Sequence, residues 1–201
     1  MDKFYLEKPT IKRRDDAIEF INEFYEYGSF INGTGRLHEY LDDYQGWLNK
    51  LKDDFNSEVT DTRVPSLTYF LVRSSDNFIV GMINVRLALN DYLKRGSGHI
   101  GYSIRPTERG KGYNKINLYL GLKICYEYGI NKVLMDAELD NVASWKTMEA
   151  LGGKRIKEWL DDEDNSMTVN YEINVKDSLD KYADVYGSMI EEKELQKWEG
   201  A

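Results

Sequence analysis

Six consecutive residues carry the strongest chemical signal in the chain: Arg109-Gly110-Lys111-Gly112-Tyr113-Asn114. They stand between a strand pattern ending near Ile104 and a helical pattern running to Tyr128. Glycines at 110 and 112 allow backbone angles that other residues avoid, and they remove side chains that would block an anion. The helix start adds unpaired N–H groups and a partial positive charge, while Arg109 and Lys111 add full charges. A plain strand-to-helix turn accounts for one glycine. Two glycines with two flanking cations read as a pyrophosphate cradle.

A second glycine pattern, Gly96-Ser97-Gly98-His99-Ile100-Gly101, spells G-x-G-x-x-G. A dinucleotide fingerprint must leave a strand and open a helix, whereas this one enters a strand. A tight turn with close strand approach is the expectation there. No G-K-[ST] follows a suitable glycine, which excludes a P-loop. The single cysteine, Cys125, has no partner for an internal disulfide and no Cys or His at metal-ligand spacing around it, so a buried side chain and no metal are expected.

The elements that must position the loop follow from periodicity. Apolar residues recur at helical spacing from Lys12 to Tyr27 and again from Leu37 to Phe55, predicting two helices. Beyond Pro65 the pattern turns to strands, Leu67–Val72 and Phe78–Leu87, separated by the polar turn Arg73-Ser74-Ser75-Asp76-Asn77. A strand at His99–Ile104, a helix at Tyr113–Tyr128, a strand at Lys132–Glu138 and a helix at Val142–Leu151 come next. Strands at Lys154–Leu160 and Met167–Val175 flank the acidic turn 161–166. A last helical stripe covers Asp177–Trp198, with an interruption allowed near Gly187; it packs on its own domain or contacts a second subunit in a homodimer.

Composition sets the outer limits. The 201 residues suit one domain with a short appendage, and 41% hydrophobic residues suffice for a core. Thirty-five acidic against 27 basic residues give a net charge of −8, a field that repels nucleic acid and weakly favours a cationic amine. No apolar run reaches the roughly 20 residues of a membrane span, and the N-terminus lacks a signal-peptide pattern, so a cytoplasmic location is expected.

The run Ile104-Arg105-Pro106-Thr107-Glu108-Arg109-Gly110-Lys111-Gly112-Tyr113 resembles the acyl-CoA signature of the GNAT superfamily of N-acetyltransferases, R/Q-x-x-G-x-G/A after a strand. Downstream, Asp140-Asn141-Val142-Ala143-Ser144 and then Leu151-Gly152-Gly153 resemble that family's N-x-x-S/A helix and its terminal turn. Together the motifs cover about residues 81–175. The resemblance implies an α/β GNAT fold: a mixed, mostly antiparallel central sheet, splayed in the middle and flanked by helices. Residues 1–175 would form that domain and 176–201 a C-terminal helical extension. It further implies acetyl-CoA as co-substrate, wedged between the strands at His99–Ile104 and Lys132–Glu138. Its pantetheine would lie against backbone near Ile104 and its pyrophosphate on the amides of Gly110 to Asn114, in a loop shared with Arg109, Lys111 and Tyr113. Asn141 would orient the pantetheine arm, with Ser144 close by. Two positions depart from the pattern. Asn114 stands where Gly or Ala is preferred, and Met148 stands where many members place a proton-donating tyrosine, which methionine cannot replace.

The implied reaction is direct transfer of acetyl from acetyl-CoA to a primary amine of a small molecule or peptide, in a ternary complex. It needs a deprotonated amine, a donor for the oxyanion and a proton for the departing sulfur. His99, Glu138 and Asp136 lie on the two splayed strands as candidate bases; a structural or partly exposed role is the stronger reading for His99, and surface roles are comparably open to Glu138 and Asp136. Tyr102 or Tyr113 could donate the proton, and alternation turns His99 and Tyr102 to opposite faces. A strand amide near Ile104 is the expected oxyanion donor. Acceptor capture would fall to the N-terminal helices, where Tyr40, Tyr44 and Trp47 are core or pocket, and to the loop from Tyr92 to Ser97. A module that binds acetyl-CoA without turnover is the alternative that Met148 leaves open.

Overall fold

In the computed structural model, which describes residues 2–161, 165–193 and 198, the chain opens on a strand that periodicity does not signal, β1 (Phe4–Glu7). Four residues are too few to show an alternation. The first expected helix is present as α1 (Arg14–Glu26), burying Ala17, Phe20, Ile21 and Phe24. The second is shorter than its apolar pattern. Leu37–Glu39 forms only a 3-10 turn, and α2 (Tyr44–Phe55) starts after Asp43, whose carboxylate accepts the Gly46 amide at 2.9 Å. That N-cap fixes the helix start and overrides the periodicity upstream.

The hairpin follows as β2 (Ser66–Arg73) and β3 (Phe78–Arg86), with Asn77 at φ 57 in the turn. A short helix, α3 (Asp91–Arg95), is capped by the Asn90 side chain and leads into β4 (Ile100–Ile104). These strands form one antiparallel sheet in the order β1-β2-β3-β4. The rest of the chain gives α4 (Tyr113–Glu127), β5 (Lys132–Glu138), α5 (Val142–Ala150), β6 (Lys154–Leu160), β7 (Met167–Asn174) and α6 (Val175–Tyr186). The last three strands make a second antiparallel sheet in the order β5-β7-β6. Asp161 and Ser166 close the turn between β6 and β7 by a backbone bond of 2.8 Å; residues 162–164 of the expected acidic turn lie outside the described residues.

Helices cover both faces. α4 lies on β3 and β4, with Ile116, Leu118, Leu122, Ile124 and Cys125 buried, and the amide of Asn117 donates to the Met82 carbonyl at 3.0 Å. On the opposite face α1 and α2 supply Phe20, Phe24 and Trp47, which is fully buried, packs on Phe70 and donates to the Gly35 carbonyl at 2.9 Å. Tyr44 and Trp47 are thus core, while Tyr40 is partly buried against it. Among the described residues no helix is long and apolar enough to cross a membrane.

The C-terminal helix is present but ends at Tyr186. A 3-10 turn at Gly187–Met189 follows, and Ile190 is extended, bridging Phe4 of β1 in parallel. The helix thus breaks at Gly187, where the sequence allows an interruption, and does not resume over 190–193; of the expected stripe, residues 194–197 lie outside the described residues. α6 packs on its own chain: the Ser178 hydroxyl donates to the Leu151 carbonyl at 2.7 Å, and Tyr186 meets Tyr119 at 5.5 Å between ring centroids.

Candidate active site

β4 and β5 are neighbours that share no ladder. They are fastened just before β4, where the His99 amide donates to the Leu134 carbonyl at 2.7 Å and the Leu134 amide donates to His99 Nδ1 at 3.0 Å. Gly98 makes that approach possible, because a Cβ there would stand 2.1 Å from the Leu134 oxygen. From this seam the two sheets diverge around a cavity of about 970 Å³. Its walls include β4 from Ile100 to Ile104, β5 from Met135 to Glu138, the glycine loop and the first turns of α5.

The phase of the β3–β4 ladder fixes what β4 offers this cavity. Arg86 N donates to the His99 carbonyl and Arg105 N donates to the Val80 carbonyl, so odd-numbered residues of β4 pair with β3. By alternation, the backbone groups of Ile100, Tyr102 and Ile104 turn toward the gap.

At the wide end the loop starts α4. Gly110 and Gly112 have φ of 78° and 82°, and a Cβ on either would meet nothing within 4 Å. Their identity therefore follows from the left-handed backbone and from the open space above it. Among the described residues, none of the amides from Gly110 to Asn114 has a hydrogen-bond partner. Five unpaired donors at a helix start suit an anion. The two cations are placed differently from the simple cradle. Lys111 pairs with Glu108 at 2.8 Å and does not line the cavity. Arg109 lines it but lies over Phe24, with Nε on the Ile104 carbonyl at 3.2 Å and Nη1 on the Ser29 hydroxyl at 2.9 Å. It locks the loop to the end of β4 and to α1.

Tyr102, Asn114 and Ser144 converge between these ends. The Tyr102 hydroxyl lies 3.0 Å from Ser144 Oγ and 3.2 Å from the Ser144 carbonyl. Burial holds the phenol pKa well above its ordinary value, so it is protonated at neutral pH. Asn114 also bears on that phenol, and its buried Oδ1 has no partner among the described residues. Asn141 lines the cavity as the N-cap of α5, its Oδ1 accepting the Ser144 amide at 3.3 Å. Tyr113 lines it too, with its ring 4.6 Å from that of Phe4. Met148, 1% exposed, contributes only an apolar wall.

The narrow end is charged. Asp136 and Glu138 share one face of β5 and line the cavity. Burial raises the Asp136 carboxyl pKa. His99 does not line the cavity. Its Nδ1 lone pair is taken by Leu134 N–H, and burial lowers its pKa, so it is neutral and fastens the seam. With Nδ1 accepting this bond, the neutral ring carries its proton on Nε2, an arrangement that favours a fastening role over that of a base. Periodicity could not see this, because the seam depends on Gly98 bringing two non-adjacent segments together. Arg86 was missed for a similar reason. It ends β3, far in sequence from every motif, yet lines the cavity beside Asp136. An arginine closing a mostly apolar strand was its only signal.

The family model described as an acetyltransferase (GNAT) domain matches residues 4–154. Among solved structures, RimJ of Mycobacterium smegmatis in complex with CoA-disulfide aligns with a TM-score of 0.66 at 13% identity, covering 90% of this chain and 89% of that one. The microcin C7 self-immunity acetyltransferase MccE, in complex with acetyl-CoA and AMP, gives 0.62 at 16% identity over 86% and 92% of the two chains. Mutant forms of the spermidine/spermine N-acetyltransferase SpeG from Vibrio cholerae give 0.60 at 10% identity over 89% and 98%. Identities this low establish a shared fold. No curated protein matches the sequence significantly. The family model spans most of the chain, and the chain belongs to the GNAT family, as an N-acetyltransferase.

Proposed function

We propose that this chain transfers the acetyl group of acetyl-CoA to a primary amine of a small molecule or peptide, by direct attack with both substrates bound. The observation that carries the reading is the run of unpaired amides at 110–114, opening on the same cavity as the half-buried carboxylate of Asp136. Those amides would hold the pyrophosphate, supported by Arg109 as a loop anchor and by the charge of the helix start. Asn141 and the outward backbone of β4 would hold the pantetheine. Acetyl-CoA supplies an activated acyl thioester.

The chain's own groups divide the proton work. An alkylamine with a pKa near about 10 arrives mostly charged. Asp136, with Glu138 beyond it on β5, would drain that proton toward solvent. The outward amides of β4 near Ile104 would stabilise the oxygen that gains charge. Tyr102, protonated and aligned by Ser144, would return a proton to the departing sulfur in place of the absent tyrosine at Met148. The second reading, acetyl-CoA binding without turnover, is favoured by one fact: Met148 offers no proton. Thiol release with an amine panel separates the two. Amine-dependent release of CoA is expected; acetyl-CoA binding with no release from any amine would select the second reading.

A further inference from the structure

Arg86 is a half-buried cation with three of its five N–H donors idle. Nη1 donates to the carbonyls of Ser97 and Gly98 at 2.9 Å each, which uses both of its hydrogens. Among the described residues, Nε and Nη2 have no hydrogen-bond partner and no carboxylate forms an ion pair with the group. Asp136 acts on it only through space, desolvation lowers its pKa from the ordinary value, and a guanidinium keeps its charge in proteins. A desolvated charge in this state is costly unless something pairs with it.

The two carbonyls fix the plane of the guanidinium, and the idle edge is the Nε–Nη2 side, the fork that matches a carboxylate with two parallel bonds. Nη2 lies 3.8 Å from where a Cβ on Gly101 would be, and the Gly33 backbone lies 3.4 Å from the same position. All three residues line the cavity, at the end that holds Asp136.

Resting on the acetyl-transfer reading above, we propose that this fork binds a carboxylate of the acceptor, which is therefore an amino-acid-like compound whose amine lies a few bonds from its carboxylate. The carboxylate would sit on Arg86 and the ammonium would face Asp136, so one small zwitterion satisfies both groups. A diamine would leave Arg86 unpaired. A guanidinium that only clamps the 96–98 turn would be indifferent to the acceptor's charge.

The test is calorimetric binding to the protein–CoA complex, which does not depend on turnover. The probes are the proteinogenic amino acids, each beside the amine obtained by decarboxylating it, with simple diamines as a further set. At least one amino acid is expected to bind roughly 10²-fold more tightly than its decarboxylated partner, as a site built around a polar group discriminates against its absence. Arg86→Gln should bring that ratio close to one, and Arg86→Lys, which keeps the charge without the fork, should give a ratio between. Amines or diamines that bind as well as or better than the amino acids to the wild-type protein would overturn the proposal even if no variant folds. A selective amino acid that binds but is never acetylated would leave the fork standing and remove the acetyl-transfer reading.

Discussion

His99 and Leu134 are joined twice, by the His99 amide on the Leu134 carbonyl and by the Leu134 amide on His99 Nδ1, and beyond that pair β4 and β5 share no ladder. These two bonds hold the sheets together at the start of β4, and the cavity opens beyond them. His99→Ala would leave the half-buried Leu134 N–H without its acceptor, at a cost of up to about 1–3 kcal/mol. For a chain of this size that lowers the melting temperature by roughly 2–4 °C per kcal/mol, measurable by calorimetry.

Acid should act on the same bond. The folded-state pKa of His99 lies below its ordinary value because burial disfavours the cation. The unfolded chain therefore binds this proton first as the pH falls. The stabilisation from His99 is complete above about pH 6.5 and is lost as the pH drops from there through the lower folded-state value. The difference in stability between wild type and His99→Ala should shrink over that window. A constant difference from pH 7.5 to the acid limit of folding would contradict the assigned hydrogen bond.

Asp136→Asn tests the base. A carboxyl whose pKa is raised by burial is protonated at a higher pH than an exposed one, so activity should fall as the pH drops through a limb above the ordinary value of about 3.9. The variant should lose roughly 10²–10⁴-fold in kcat together with that limb. Glu138→Gln should cost less, because Glu138 is exposed at the end of β5. If Glu138→Gln removes the limb and Asp136→Asn does not, the two roles are exchanged.

Tyr102→Phe should reduce kcat at least about tenfold while leaving the acetyl-CoA dissociation constant nearly unchanged, since the phenol is assigned to the leaving group. Adding Met148→Tyr to that variant should recover part of the rate. Equal losses in kcat and in cofactor affinity would make Tyr102 a binding residue.

How much of this was legible in the sequence follows from how local each feature is. The loop at 109–114 could be read because its glycines, cations and helix start are contiguous, and both glycines do take positive φ. The strands and helices that carry it were legible from periodicity to within a few residues. β1 was too short to show a period, and the start of α2 was set by the Asp43 cap against a continuing apolar stripe. The pairing of Lys111 with Glu108, the fastening role of His99 and the placement of Arg86 beside Asp136 are tertiary facts. No spacing rule reaches across β3, the 96–98 turn and β5.

Gly112→Glu addresses the cradle. A non-glycine residue at φ 82° is strained by about 1–3 kcal/mol, and the carboxylate would occupy the space above the unpaired amides. Acetyl-CoA affinity should fall by at least about 10²-fold, while circular dichroism at 25 °C stays that of the folded chain. Retained affinity would move the pyrophosphate site elsewhere.

Thermal denaturation with acetyl-CoA, CoA and NADH side by side tests the central claim most directly. Ligand at about 100 times its dissociation constant stabilises by roughly 2.7 kcal/mol, a rise of roughly 5–10 °C for this chain length. Such a rise with the two CoA species and none with NADH is the predicted result. No rise with either CoA species, or one with NADH alone, would contradict it.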